Sequence, residues 1–128
     1  MKVKADYYYS EEHEWVRVEG DLAYIGITDY AQHHLGNIVF VELPENESEF
    51  AAGEVIGVIE SVKAVADMHT PVSGTVTAIN EELEDSPELL NEDPYGHYIA
   101  VLKMTNPEEL KALMNSEQYA AFCEQQEE

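Results

Sequence analysis

The stretch that most constrains this chain runs over residues 53–74, G-E-V-I-G-V-I-E-S-V-K-A-V-A-D-M-H-T-P-V-S-G. Two apolar runs, 55–59 and 72–79, flank a short segment carrying one lysine, Lys63. β-Branched residues that rise to a turn and return predict a strand, a tip and an antiparallel strand, punctuated by Gly53, Gly57 and Gly74. Pro71 fits a strand end or a sheet edge, because it has no amide proton for a ladder. The charge pattern then singles out the lysine. The six basic residues are Lys2, Lys4, Arg17, Lys63, Lys103 and Lys111, and between Val18 and Leu102 there are 17 acids and one base, Lys63. A composition that expels lysine almost everywhere yet keeps one at a hairpin tip indicates that its amine is used. Lys63 is expected to be an attachment point.

The rest of the composition bounds the setting. A chain of 128 residues with 45% apolar content reads as one domain, 1–128, able to bury roughly two-thirds of the surface its unfolded form exposes. The net charge of −21 repels nucleic acids and anionic membranes, whose binding depends on Lys and Arg. It favours partners with basic faces and would suit a salty cytoplasm, where screening relieves self-repulsion. The single cysteine, Cys123, excludes an internal disulfide, fits a reducing compartment and reads as a small packing residue. No apolar run reaches the roughly 20 residues of a membrane span, and no signal-peptide core precedes the first strand. A soluble cytoplasmic monomer is expected.

Residues 13–18, H-E-W-V-R-V, alternate as a strand, and Glu19-Gly20-Asp21 turns into a second strand over 22–27. Trp15 reads as packing, and strand alternation sends His13 and Glu14 to opposite faces. Thr28 offers a cap to a short helix over 29–35, closed by Gly36. The pair His33-His34 suggests metal chemistry, but adjacent helical residues diverge and no partner spacing supports it. A strand follows over 38–43, then an acidic loop over 44–50. After the hairpin, seven acids over 80–93 read as solvated surface around one helical turn at 87–90, and 97–104 is the last strand. Asn106-Pro107-Glu108-Glu109 is a helix start, and Ser116-Glu117 restarts a second helix, giving a helical segment over about 107–124. No phosphate loop, nucleophile elbow or zinc motif occurs, so no catalytic residue is assigned. Short strands with regular turns point to a mainly β barrel or sandwich with peripheral helices.

The hairpin residues Glu60-Ser61-Val62-Lys63-Ala64, with Asp67, Pro71, Ser73 and Gly74, resemble the lipoylation hairpin of glycine cleavage system H proteins. The resemblance extends through H-E-W-V at 13–16, I-G-I-T-D-Y-A-Q at 25–32, L-G-N-I-V-F-V-E-L-P at 35–44, E-D-S-P-E-L-L-N at 84–91, D-P-Y-G at 93–96 and the C-terminal Y-A-A-F-C. Biotin carriers share such a hairpin but flank the lysine with methionines, where this chain has Val62 and Ala64.

The resemblance implies a flattened barrel-sandwich hybrid of antiparallel strands bearing lipoate on Lys63. It implies a carrier without catalysis of its own. The arm would take an aminomethyl group from glycine decarboxylase, offer it to an aminomethyltransferase, and be reoxidised by dihydrolipoyl dehydrogenase. A lipoate-protein ligase or lipoyl transferase would install the arm. By the same resemblance Glu14, Asp67 and His34 match positions lining a recess for the loaded arm, with Glu12 where serine is usual. One departure stands out: after Pro94-Tyr95-Gly96 the chain has His97-Tyr98 and lacks the glycine and tryptophan expected there. This leaves an alternative open, an H-like lipoate-binding protein that carries sulfur to a heterodisulfide-reductase-like complex in sulfur oxidation.

Overall fold

The structure, a computed structural model, describes residues 1–126. Its strands form two antiparallel sheets. Strands β1 (Tyr8–Tyr9), β2 (Glu14–Glu19), β3 (Leu22–Ile27), β5 (Glu49–Phe50), β8 (Gly74–Ile79) and β9 (Ala100–Met104) make a six-stranded sheet in the order β1-β2-β3-β9-β8-β5. Strands β4 (Ile38–Glu42), β6 (Val55–Ser61) and β7 (Val65–His69) make a three-stranded sheet in the order β4-β6-β7. Neither sheet closes on itself, so the architecture is an open sandwich with short helices.

Alternation along the strands supplies the core. Val16, Ile25, Val76 and Leu102 from the large sheet join Ile38, Val41, Ile56, Ile59 and Met68 from the small one in a single buried cluster. Each such side chain, removed from water, contributes about 1.5–3 kcal/mol before chain entropy is counted. A second cluster is aromatic: Tyr9, Trp15, Tyr30, Tyr95, Tyr119 and Cys123. Trp15 is fully packed and donates from Nε1 to the Pro94 carbonyl at 3.1 Å. Its ring needs Gly26, where an added Cβ would stand 2.5 Å from Cζ2. Cys123 is buried there, as its expected packing role requires.

The hairpin departs from its sequence reading. Its return arm is β7, paired Val58↔Asp67, Ile59↔Ala66 and Glu60↔Val65, and not the apolar run at 72–79. That run crosses to the large sheet, where β8 pairs with β9 at Gly74↔Met104 and Val76↔Leu102. The cause is local. β7 carries Asp67 and His69 on its outer face, so it lacks a continuous apolar signal, and Pro71 cannot extend its ladder.

Other elements follow or shift by a few residues. Helix α1 (Asp29–Leu35) is capped as expected, Thr28 Oγ1 accepting from the Ala31 amide and Gly36 turning the chain at φ 78°. β2 begins at Glu14 because His13 sits at φ 68°. The acidic loop holds two helical turns, α2 (Glu82–Asp85) and α3 (Leu89–Glu92), which bury Leu83 and Leu90 and leave most of their acids in solvent. The last strand starts only at Ala100, and Tyr98 packs edge-on against Tyr24 at 5.4 Å. An aromatic ring is thus retained beside the departure at His97-Tyr98. At the C-terminal end, Pro107–Ala112 is a 3-10 turn that receives no cap bond from Asn106, and Glu109 instead accepts from the Ser73 amide and hydroxyl. Helix α4 (Ser116–Gln126) follows, entered through a reciprocal cap between Asn115 and Gln118.

Candidate attachment site at the hairpin tip

Three residues, Val62, Lys63 and Ala64, bridge β6 and β7, and Ser61 organises them. Its amide donates to the Ala64 carbonyl at 2.8 Å, and its Oγ accepts from the Lys63 and Ala64 amides at 3.2 and 3.1 Å. A serine hydroxyl competing for backbone amides stabilises such a turn. The tip is also tied outward, since the Val62 amide donates to the Asn37 carbonyl at 2.9 Å. Asn91 of α3 holds that neighbouring segment: Oδ1 accepts from the Ile38 amide, while Nδ2 donates to the Gly36 carbonyl and to Gln32 Oε1.

Lys63 rises from this fixed turn. Its side chain is exposed, and its Cε passes within 3.6 Å of where a Cβ at Gly36 would stand. The stem therefore leans over the end of α1. Among the described residues Lys63 takes part in no ion pair, whereas Lys103 pairs with Asp21 and Lys111 with Glu108. An exposed amine on a rigid turn, free of a carboxylate partner, is accessible to acylation.

The surface around it is unusual for so charged a chain. Val39, Phe40, Val62 and Val65 are 54, 46, 67 and 68% exposed. Cross-strand pairing puts Phe40, Glu60 and Val65 in one row and Glu42, Val58 and Asp67 in the next. Directly paired residues of an antiparallel sheet project to the same side. The outer face of β4-β6-β7 is thus apolar residues interleaved with carboxylates, with Lys63 at one end.

The expected recess residues take up different environments. Asp67 is exposed on β7, on the same face as Val65 and His69. Glu14 is buried, 2% exposed, and accepts from the Ser10 hydroxyl at 2.9 Å and the His69 amide at 2.8 Å. Burial pushes its carboxyl up to about 8, against the lowering effect of those two bonds and with a small upward push from Glu12. His13, outside the strand at φ 68°, makes a separate contact: Nδ1 meets the Tyr119 hydroxyl at 2.7 Å, and burial, with nearby His34, lowers its pKa. His34 lies on the last turn of α1, two residues before Gly36. It stacks on Tyr30 at 4.1 Å, and its Nδ1 sits 3.1 Å from the Tyr30 carbonyl. With His33, Asp29, Tyr30 and Met1 it lines a cavity of about 200 Å³. Ser10 and Glu12 line another of about 240 Å³ with Thr70 and Met114.

Two positions that touch the site escaped the sequence. Asn91 fixes the tip from across the fold, and no local pattern marks it. His69 contacts Glu14 and would have followed from alternation, two residues after Asp67, had 65–69 been recognised as a strand.

A family model described as glycine cleavage H-protein matches residues 7–126. A glycine cleavage system H protein of Syntrophomonas wolfei subsp. wolfei is 59% identical over 127 residues, covering 99% of this chain and 98% of its own length. One from Alkaliphilus oremlandii is 56% identical over 126 residues, covering 98% and 99%. The crystal structure of a glycine cleavage system H protein from Mycobacterium marinum is similar throughout, with a TM-score of 0.86 at 33% identity, covering 93% of this chain and 97% of that one.

Proposed function

Because this chain belongs to the glycine cleavage H-protein family, a family of lipoyl carriers serving glycine cleavage, we propose that Lys63 is its lipoyl attachment point. The observation that carries the assignment is an exposed amine, without an ion-pair partner among the described residues, on a turn locked by Ser61, Asn37 and Asn91. The residues fit the group. The amine is exposed, its loss of charge on acylation breaks no ion pair, and the stem has a glycine beneath it. When attached, lipoate supplies a disulfide-bearing arm that accepts an aminomethyl group and hands it on.

The chain's own residues do the holding. Ser61 fixes the main chain on either side of Lys63, so the arm swings from a constant origin. Glu60, Val62 and Ala64 complete the surface that an installing ligase or transferase reads. The interleaved carboxylates and apolar side chains of the outer face suit basic, apolar-rimmed mouths on glycine decarboxylase, aminomethyltransferase and dihydrolipoyl dehydrogenase. Asp67 and the buried Glu14 offer carboxyls to a cationic amine on the arm, and His34 lies two residues before Gly36, the glycine beneath the lysine stem. A monomer working in the cytoplasm belongs to the same reading. No helix among the described residues is long and apolar enough to cross a membrane. The relatives and the retained packing at Tyr98 favour glycine cleavage over the sulfur-carrier alternative.

Incubation with a lipoate-protein ligase, followed by intact-mass and peptide analysis, tests the assignment. One lipoyl group on Lys63, and none on Lys63→Arg, is the expected result. A group on Lys103 or Lys111 with Lys63 bare overturns it.

A further inference from the structure

Among the described residues, His69 is the one ring on the carrier face that contacts a buried carboxyl. Its amide donates to Glu14 Oε2, and its Nδ1 lies 3.8 Å from that same oxygen, beyond hydrogen-bond reach. Nδ1 is buried and makes no hydrogen bond among the described residues. The imidazole is 33% exposed and the Glu14 side chain 3%. The charged groups around them are acids: Glu12 near Glu14 in the chain, Asp67 on the same face of β7, and Glu49 and Glu54 across a cavity of about 470 Å³ that His69 lines with Phe50 and Val55. Among the described residues neither Glu14 nor His69 pairs with lysine or arginine. A buried carboxylate without a cation is costly, so a proton must sit on the carboxyl or on the ring.

We propose that His69 is a positioning residue for Glu14, and that the pair holds a single proton which an ammonium group presented by the arm displaces. The inference rests on the reading that the arm's amine is held at Glu14. The exchange balances in charge. The ammonium enters with its three N–H bonds intact, and the pair's proton leaves to bulk water. Oε2 then accepts one ammonium N–H and the freed Nδ1 lone pair accepts another. No bond to carbon or sulfur changes. The proton is a placeholder for the cationic cargo, and an arm ending in a neutral group leaves it in place. The pair thereby selects an amine-bearing arm over one carrying a neutral thiol or disulfide.

Two measurements test this. In arm-free protein, the Glu14 carboxyl and the His69 ring are followed by NMR across pH in wild type, His69→Gln and His69→Asn. The two wild-type signals are expected to share their transitions, and both variants to move the Glu14 midpoint upward. Independent midpoints, with Glu14 unmoved in the variants, overturn the proposal. In loaded protein, the lifetime of the aminomethyl group is followed from pH 6 to 8. Wild type is expected to retain it longer as pH rises, by up to about tenfold per pH unit for one competing proton, and His69→Gln to flatten that profile. A Glu14→Gln variant separates the two failures. If its lifetime matches wild type, the arm is not held at Glu14 and both readings fall. If Glu14→Gln releases the group while His69→Gln keeps the wild-type profile, only the role of His69 falls.

Discussion

Replacing Glu14 by Gln isolates the energetic consequence of burying that carboxyl. The shapes match, and the amide reproduces the contacts: its oxygen accepts from the His69 amide and its nitrogen donates to Ser10. Burial raises the folded-state value to about 8 from 4.5, so between those values the folded protein holds a proton that the unfolded chain has lost. Stability from this group is therefore full below about pH 4.5 and declines as pH rises toward 8. Each pH unit in the window costs up to about 1.4 kcal/mol. Across pH 5 to 8 the loss is on the order of 3 kcal/mol, after allowing for the rounded ends of the titration. The other titrating groups act equally in both proteins and cancel in the difference, His69 excepted. Urea unfolding of wild type and Glu14→Gln at pH 5, 6, 7 and 8 reads this directly. The two proteins are expected to be close at pH 5, with the variant gaining steadily to the more stable side by pH 8. Parallel curves across the whole range would refute the reasoning, because they would mean that Glu14 is ionised in the fold without cost.

Gly26→Ala places a methyl against the Trp15 ring and should cost about 1–3 kcal/mol, measured as a lowered urea midpoint with altered tryptophan fluorescence. Asn91→Ala removes three hydrogen bonds that hold the segment beside the tip; it should destabilise by about 1–3 kcal/mol and speed hydrogen exchange at the Val62 amide. Phe40→Ser with Val65→Ser removes exposed apolar area, so unfolding should change little. Lipoylation and aminomethyl transfer should lose kcat/KM by about 10-fold or more, the scale of a lost interface anchor of 1.4 kcal/mol or above.

The parts of this fold that were legible in the sequence are those whose signal is local. Thr28 and Gly36 bracket α1 because a cap and a left-handed stop act within one turn of the residues they end. Strand β3 was bounded correctly at Leu22–Ile27 by a glycine turn and alternation. Lys63 stood out from charge alone. What failed depended on distant pairing. The strong apolar run at 72–79 looked like the return arm of the hairpin, yet its partner is β9, while the true return strand was hidden by Asp67 and His69. Helix α2 was missed because Leu83 is its one buried residue among acids. The recess residues were named by resemblance, but Glu14 is fully buried beneath Ser10 and His69, a state that depends on β7 lying against β2.

Carriage of the aminomethyl group depends most directly on the amine of Lys63. Wild type and Lys63→Arg, each exposed to a lipoate-protein ligase, are compared at one ionic strength in the glycine–bicarbonate exchange catalysed by glycine decarboxylase, since a surface of charge −21 makes docking salt-dependent. The wild type is expected to support exchange, and Lys63→Arg, folded and with the same charge before acylation, to support none above background. Exchange by Lys63→Arg at the wild-type rate would contradict the account, because the cargo would then be travelling on another group.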